Sequence, residues 1–142
     1  MARGGAVSWD WDAIRAGGLV ALVFAVPFSI AGRWAADSRD DSTLAVWLTL
    51  GAVVGFVIGA GCAAWVQRAG TPLSHGLVTA TGTYLAAQAV FVVIRLARGL
   101  DVRWFAVLFN LTVVLAAGLV GGLLGQHLQN RGIEPRSRVR RP

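Results

Sequence analysis

Residues 43–66 read TLAVWLTLGAVVGFVIGAGCAAWV. The stretch holds no charged side chain and lies in a window of 26 uncharged residues between Asp41 and Arg68. Crossing about 30 Å of hydrocarbon at about 1.5 Å per residue takes about 20 residues of helix. The window is long enough. It shows no two-residue alternation, which argues against a barrel strand. It also lacks a polar helical face, which argues against a helix of a water-soluble bundle. In lipid a backbone must satisfy its own hydrogen bonds, so a transmembrane helix is expected here.

Three further windows repeat the pattern. They enclose 17 residues between Arg15 and Arg33, 26 between Arg68 and Arg95, and 27 between Arg103 and Arg131. The expected spans are 15–36, 43–66, 75–96 and 104–127. The fold class that follows is an all-α membrane protein, an antiparallel bundle of four transmembrane helices joined by short connections. Residues 1–14 form an N-terminal interfacial segment, and 131–142 an Arg-rich tail expected to be disordered. Pro27 predicts a kink in the first span. That span also has features of a signal peptide, with Arg3 and Arg15 before it and Ser29-Ile30-Ala31 near its end. Asp10 and Asp12 oppose a positive leader region, so a retained helix is expected. All six tryptophans, Trp9, Trp11, Trp34, Trp47, Trp65 and Trp104, fall near window edges. Indole prefers the headgroup level, where its ring is half buried and its N–H is wet.

Composition agrees. Of 142 residues, 56% are hydrophobic and 14% charged, against about 25% charged in soluble domains. The net charge is +6, and every basic residue is Arg. In a soluble domain such charge would point to nucleic acid. Here the arginines sit at span ends and no nucleic-acid-reading module accompanies them, so no nucleic-acid partner is expected. Eight arginines fall on the N-terminal segment, the 67–75 connection and the tail, and five on the other two connections. The positive-inside rule then places both termini in the cytoplasm, in a multi-pass protein of the inner (plasma) membrane. Arg136, Arg138, Arg140 and Arg141 are expected to lie on anionic lipid headgroups, at about 1 kcal/mol each.

Small residues recur at spacings of four. Gly51, Gly55 and Gly59 share one face of the second span. Gly118 and Gly122 do so in the fourth, overlapped by Gly121 and Gly125. Gly17, Ala21 and Ala25 are the smaller version in the first. Such stripes let two backbones approach closely, within the bundle or across a homodimer seam. No ionisable residue sits mid-span, which argues against a proton-coupled pump. Thr49, Gln88 and Asn110 lie at similar depth, and Thr81, Tyr84 and Gln88 form one stripe. Gln88 and Asn110 are expected to face inward and hydrogen-bond between helices, worth about 0.6 kcal/mol. The alternative use of the stripe is a polar substrate path.

No hydrolase, zinc-protease or phosphate-loop motif is present. No enzyme and no cofactor are expected. Cys62, His75 and His127 lack metal-ligand spacing, so no metal is expected, and one cysteine excludes an internal disulfide. The second span leaves as Gln67-Arg68-Ala69-Gly70-Thr71-Pro72, and the fourth as Gln129-Asn130-Arg131-Gly132-Ile133-Glu134-Pro135. The echo fits a parallel two-plus-two repeat or ordinary helix-ending chemistry.

The run from Gly51 to Gly76 has a Gly-rich helix, Ala63-Ala64, Gln67-Arg68-Ala69-Gly70, and His75-Gly76 opening the next helix. With Gly118-Leu-Val-Gly121-Gly122-Leu-Leu-Gly125, it resembles the small four-helix bacterial membrane proteins of the YrzE type over about residues 44–128. The resemblance implies fold and location, and no catalytic residues. The expected function is a non-enzymatic structural or accessory subunit, assembling with itself or within a larger membrane complex. The alternative is a small oligomeric transporter or channel along Thr81, Tyr84 and Gln88.

Overall fold

The computed structural model describes residues 9–38, 42–133 and 135. Among them are four helices: α1 (Trp11–Ser38), α2 (Ser42–Val66), α3 (Pro72–Ala97) and α4 (Trp104–Asn130). Each is long and apolar enough to cross a membrane. The tail arginines Arg136, Arg138, Arg140 and Arg141 lie outside the described residues.

Three helices run beyond the expected spans, for local chemical reasons. The α1 helix begins four residues before the expected 15 because Asp10 caps it, its Oδ1 accepting from the Ala13 N–H at 3.1 Å. Aspartate is a favoured N-cap, since its side chain satisfies an orphan N–H of the first turn. The α1 helix continues through Pro27 to Ser38. The α3 helix opens on Pro72, where a missing N–H has no intrahelical partner to lose. The α4 helix continues to Asn130. The C-termini of α3 and α4 close in the same way. Gly99 and Gly132 adopt φ of +67° and +71°, a region open to glycine. Their N–H groups donate to Leu96 and Gln129 carbonyls, and the next N–H groups, of Leu100 and Ile133, reach back to Arg95 and Leu128. This is the Schellman closure of a helix end.

Helix α2 is the axis of the molecule. It packs against α1, α3 and α4, whereas α1 and α4 do not pack on each other. Its Gly59 lies against Gly17 and Ala21, Gly55 against Phe24, and Gly51 against Phe28, so numbers fall along α2 as they rise along α1. Its opposite side meets α4, where Gly121 lies against Val57 and Ala60, and Gly125 against Gly61 and Ala64. Numbers here rise together. The α4 glycines form two stripes. Gly121 and Gly125 serve α2, while Gly118 and Gly122 serve α3 through Ala80, Gly76 and Leu73. All seven zipper-spaced glycines of α2 and α4 therefore lie against neighbouring helices of the same chain.

The buried core is made of small residues. It holds Ala21, Ala25, Ala52, Ala60, Ala80 and Ala117, with only Val114, Phe56 and Tyr84 as larger members. Large apolar side chains instead point outward, including Leu19, Val23, Val54, Val90, Val93, Leu119 and Leu123. Where the surroundings are as apolar as leucine, packing contacts between close backbones hold helices together, and small residues permit them.

A β-carbon at Gly59 would sit 2.6 Å from the Ala21 β-carbon and 2.8 Å from its backbone nitrogen. Gly59→Val is expected to lose about 1–3 kcal/mol through overpacking. Gly82 has nothing within 4 Å of an added methyl, so Gly82→Ala is expected to leave stability unchanged or higher. Unfolding midpoints in mixed micelles compare the two, and equal losses would contradict the packing role.

Candidate functional site

The helices are tightly joined at one end and splayed at the other. At the splayed end they enclose a cavity of about 580 Å³ lined by all four helices. This falls within the range of small-molecule sites, about 300–1,000 Å³. Its walls are mainly apolar, with Leu22 and Val26 of α1, Val53 of α2, Phe91 of α3 and Val113 of α4. Its floor is Phe56 and Tyr84, packed edge to face at 6.4 Å and 66°. Beneath them lies the alanine and glycine core.

The polar lining is sparse and specific. Ser29, Arg33, Thr49, Tyr84, Gln88 and Asn110 contribute to it. Tyr84 is buried, and its hydroxyl donates to the Val107 carbonyl of α4 at 2.8 Å. Thr49 bonds within its own helix, to the Ala45 carbonyl at 2.8 Å. Gln88 is half-buried and Asn110 exposed. No hydrogen bond joins these two amides among the described residues, because the cavity lies between them. The expected interhelical bond at that depth is therefore absent among the described residues, and the Tyr84 hydroxyl makes the α3–α4 link instead, at the Val107 carbonyl. Thr81 is half-buried and does not line the cavity. The predicted stripe thus divides, with Tyr84 and Gln88 at the cavity and Thr81 outside it.

The exposed lining residues are Val46, Thr49 and Leu50 of α2, Phe109 and Asn110 of α4, and Arg33 of α1. The cavity is therefore a crevice whose mouth lies between α2 and α4. On the α1–α3 side, the Arg33 guanidinium sits 4.7 Å over the Phe91 ring. A cation on an aromatic face is held there by the ring quadrupole.

The tight end carries a polar knot. His75 is fully buried. Its Nε2 accepts from the Asp10 backbone N–H at 2.9 Å, and its Nδ1 lies 2.8 Å from the Thr71 carbonyl. A backbone N–H can only donate, so Nε2 is unprotonated and Nδ1 carries the proton. The Trp9 ring covers the imidazole at 5.4 Å. The Asp10 carboxylate accepts from the Ala13 and Arg68 N–H groups. One residue thereby caps α1 and holds the α2–α3 connection.

A second clasp joins α2 to α4. The last carbonyls of a helix have no intrahelical partner. Gln129 of α4 supplies one, its Nε2 lying 3.0, 2.9 and 3.2 Å from the carbonyls of Ala64, Trp65 and Gln67. Trp65 Nε1 donates to the Ile133 carbonyl at 2.6 Å. Neither the His75 clasp nor the Gln129 clasp was among the polar sites expected from span depth. The Gln129 clasp alone had a sequence signal, the echo Gln67-Arg68 and Gln129-Asn130-Arg131, which the shared direction of α2 and α4 brings to the same end.

Among the described residues no three His, Cys, Asp or Glu side chains group as metal ligands. Cys62 is half-buried on α2 and His127 exposed on α4. Comparison with known proteins found no matching family model, curated protein or solved structure.

Removing the Gln129 amide orphans buried carbonyls, which costs about 1–3 kcal/mol. Gln129→Leu is expected to lower stability by that amount. Asn130→Ala, at the exposed neighbour, is expected to stay within about 0.5 kcal/mol of the parent. A detergent thermal-melt series resolves the difference.

Proposed function

We propose that the protein is a multi-pass inner-membrane protein, an antiparallel four-helix bundle, acting as a non-enzymatic accessory subunit of a membrane assembly. One observation carries this reading: the crevice is blind. Below Phe56 and Tyr84 the helices meet at backbone distance, and the polar knot covers the far end. A conducting pore needs a continuous path, and a carrier of the rocking type needs a midplane site open in turn to each side. A sealed half with one-sided access supports a subunit that binds and holds. The outward apolar side chains support a bilayer environment, since a soluble monomer rarely exposes contiguous apolar patches beyond a few hundred Å². The opposed numbering of α1 against α2, and of α3 against α4, supports the antiparallel arrangement.

Orientation follows from the arginines, with both termini cytoplasmic and the crevice opening in the outer leaflet. The tail arginines then meet anionic headgroups on the cytoplasmic face, and the outward helix faces are available to a second copy or a larger complex. Tyr84 and Gln88 in the crevice wall favour, as the second reading, a transporter formed by oligomerisation.

Reporter fusions at residues 40, 70, 100 and the C-terminus are expected to place 40 and 100 outside, and 70 and the C-terminus inside. A periplasmic C-terminus would overturn the orientation. Proteoliposomes loaded with a small fluorescent anion or cation are expected to hold it as tightly as empty vesicles. Protein-dependent release would favour the transporter.

A further inference from the structure

We propose that the crevice is a binding site for an anionic phospholipid, with one acyl chain lying between α2 and α4 and the phosphate on Arg33. The inference rests on the membrane reading and adds an occupant to it.

Depth is the first argument. From Ala45 to Phe56 the crevice wall of α2 rises about 16 Å at about 1.5 Å per residue, close to the roughly 15 Å that is half of a bilayer's hydrocarbon core. The floor thus stops an acyl chain near the midplane. The mouth is lateral, flanked by Val46, Leu50 and Phe109, so a chain enters from the leaflet without leaving lipid.

Polarity along the crevice is the second argument. The walls near the floor are Val53, Phe56, Val113 and Val114, suited to methylenes. Asn110 and Gln88 stand higher, and neither amide has a described protein partner. An amide facing hydrocarbon with no partner is costly. The ester carbonyls of a lipid, which lie between chain and phosphate, accept from such groups.

Charge is the third argument. Arg33 stands at the rim, held over Phe91. Its planar fork matches phosphate oxygens two at a time. In sequence, the stretches 33–43 and 95–103 carry five arginines against four aspartates. The balance is positive, so an anion is not repelled.

The test uses the full chain in phosphatidylcholine vesicles. They are doped with phosphatidylglycerol carrying a photoactivatable diazirine near the acyl terminus, or with the matched phosphatidylcholine or free fatty acid. Adducts are mapped by mass spectrometry. Adducts of the phosphatidylglycerol probe are expected to concentrate on Val53, Phe56 and Val113. They should exceed those of the phosphatidylcholine probe on the order of fivefold, the effect of one basic residue at an anionic headgroup. Arg33→Gln is expected to bring the two probes to parity without moving the adducts. Ala52→Trp, which fills the crevice, is expected to remove them. Adducts spread equally over outward Leu119 and Leu123 would overturn the site, as would covalent dimers linked through crevice residues. A preference that survives Arg33→Gln, or stronger labelling by the fatty acid, would overturn the phosphate assignment. Flotation with the vesicles reports insertion separately. Failure to float overturns the membrane reading too, whereas floating without crevice adducts overturns the lipid site alone.

Discussion

Backbone-to-backbone approach along α2 is the constraint from which the other features descend. Gly59 meets Gly17 and Ala21 on one side of the helix, and Gly61 meets Gly121 on the other. In hydrocarbon, burying a leucine against protein gains little over leaving it in lipid, so association depends on dispersion contacts between well-fitted surfaces. A residue without a side chain lets two helices share more of those contacts. The same close fit explains why the core is alanine and glycine while the bulky side chains face outward.

Side-chain size along each interface then sets the shape. Between α3 and α4, the pairs run from Gly76 with Gly122, through Ala80 with Gly118, to Tyr84 with the Val107 backbone. Between α1 and α2 the close approach runs from Gly17 with Gly59 through Gly55 with Phe24 to Gly32 with Leu48 and the Ala45 carbonyl. The crevice therefore opens where side chains grow larger along α3 and α4, beyond Ala80 and Gly118. Closure at the narrow end relies on hydrogen bonds that solve a local problem. Orphan carbonyls at the end of α2 are met by Gln129, and the start of α1 by Asp10, which also draws in Arg68 and His75. Helix ends that would otherwise need water are satisfied by one another.

This division of labour gives the molecule a rigid end and an accommodating one. A buried network with few alternatives resists local opening, while among the described residues the crevice amides of Gln88 and Asn110 have no protein partner.

Much of the fold was legible from where charges are missing. The windows located all four helices, because a span must exclude charge over a length fixed by bilayer thickness. The narrower spans drawn inside them missed the true ends of α1, α3 and α4, because Asp10, Pro72 and the last turn of α4 obey capping chemistry, which is independent of membrane boundaries. Depth counting brought Thr49, Gln88 and Asn110 to one level, and all three line the crevice. It could not show that Gln88 and Asn110 stand apart, since one-dimensional spacing carries no interhelical distance. Glycine periodicity marked close-packing faces without naming their partners. Which stripe of α4 meets α2 and which meets α3 depends on rotation about the helix axis. So does the meeting of Asp10 with His75, 65 residues apart. By itself, then, the sequence determined how many helices there are, where they lie along the chain and which faces are small, because those follow from local composition and period. Only the tertiary structure decided which helices are neighbours, where they splay and which polar groups are paired, because those depend on three-dimensional fit among surfaces that look alike along the chain.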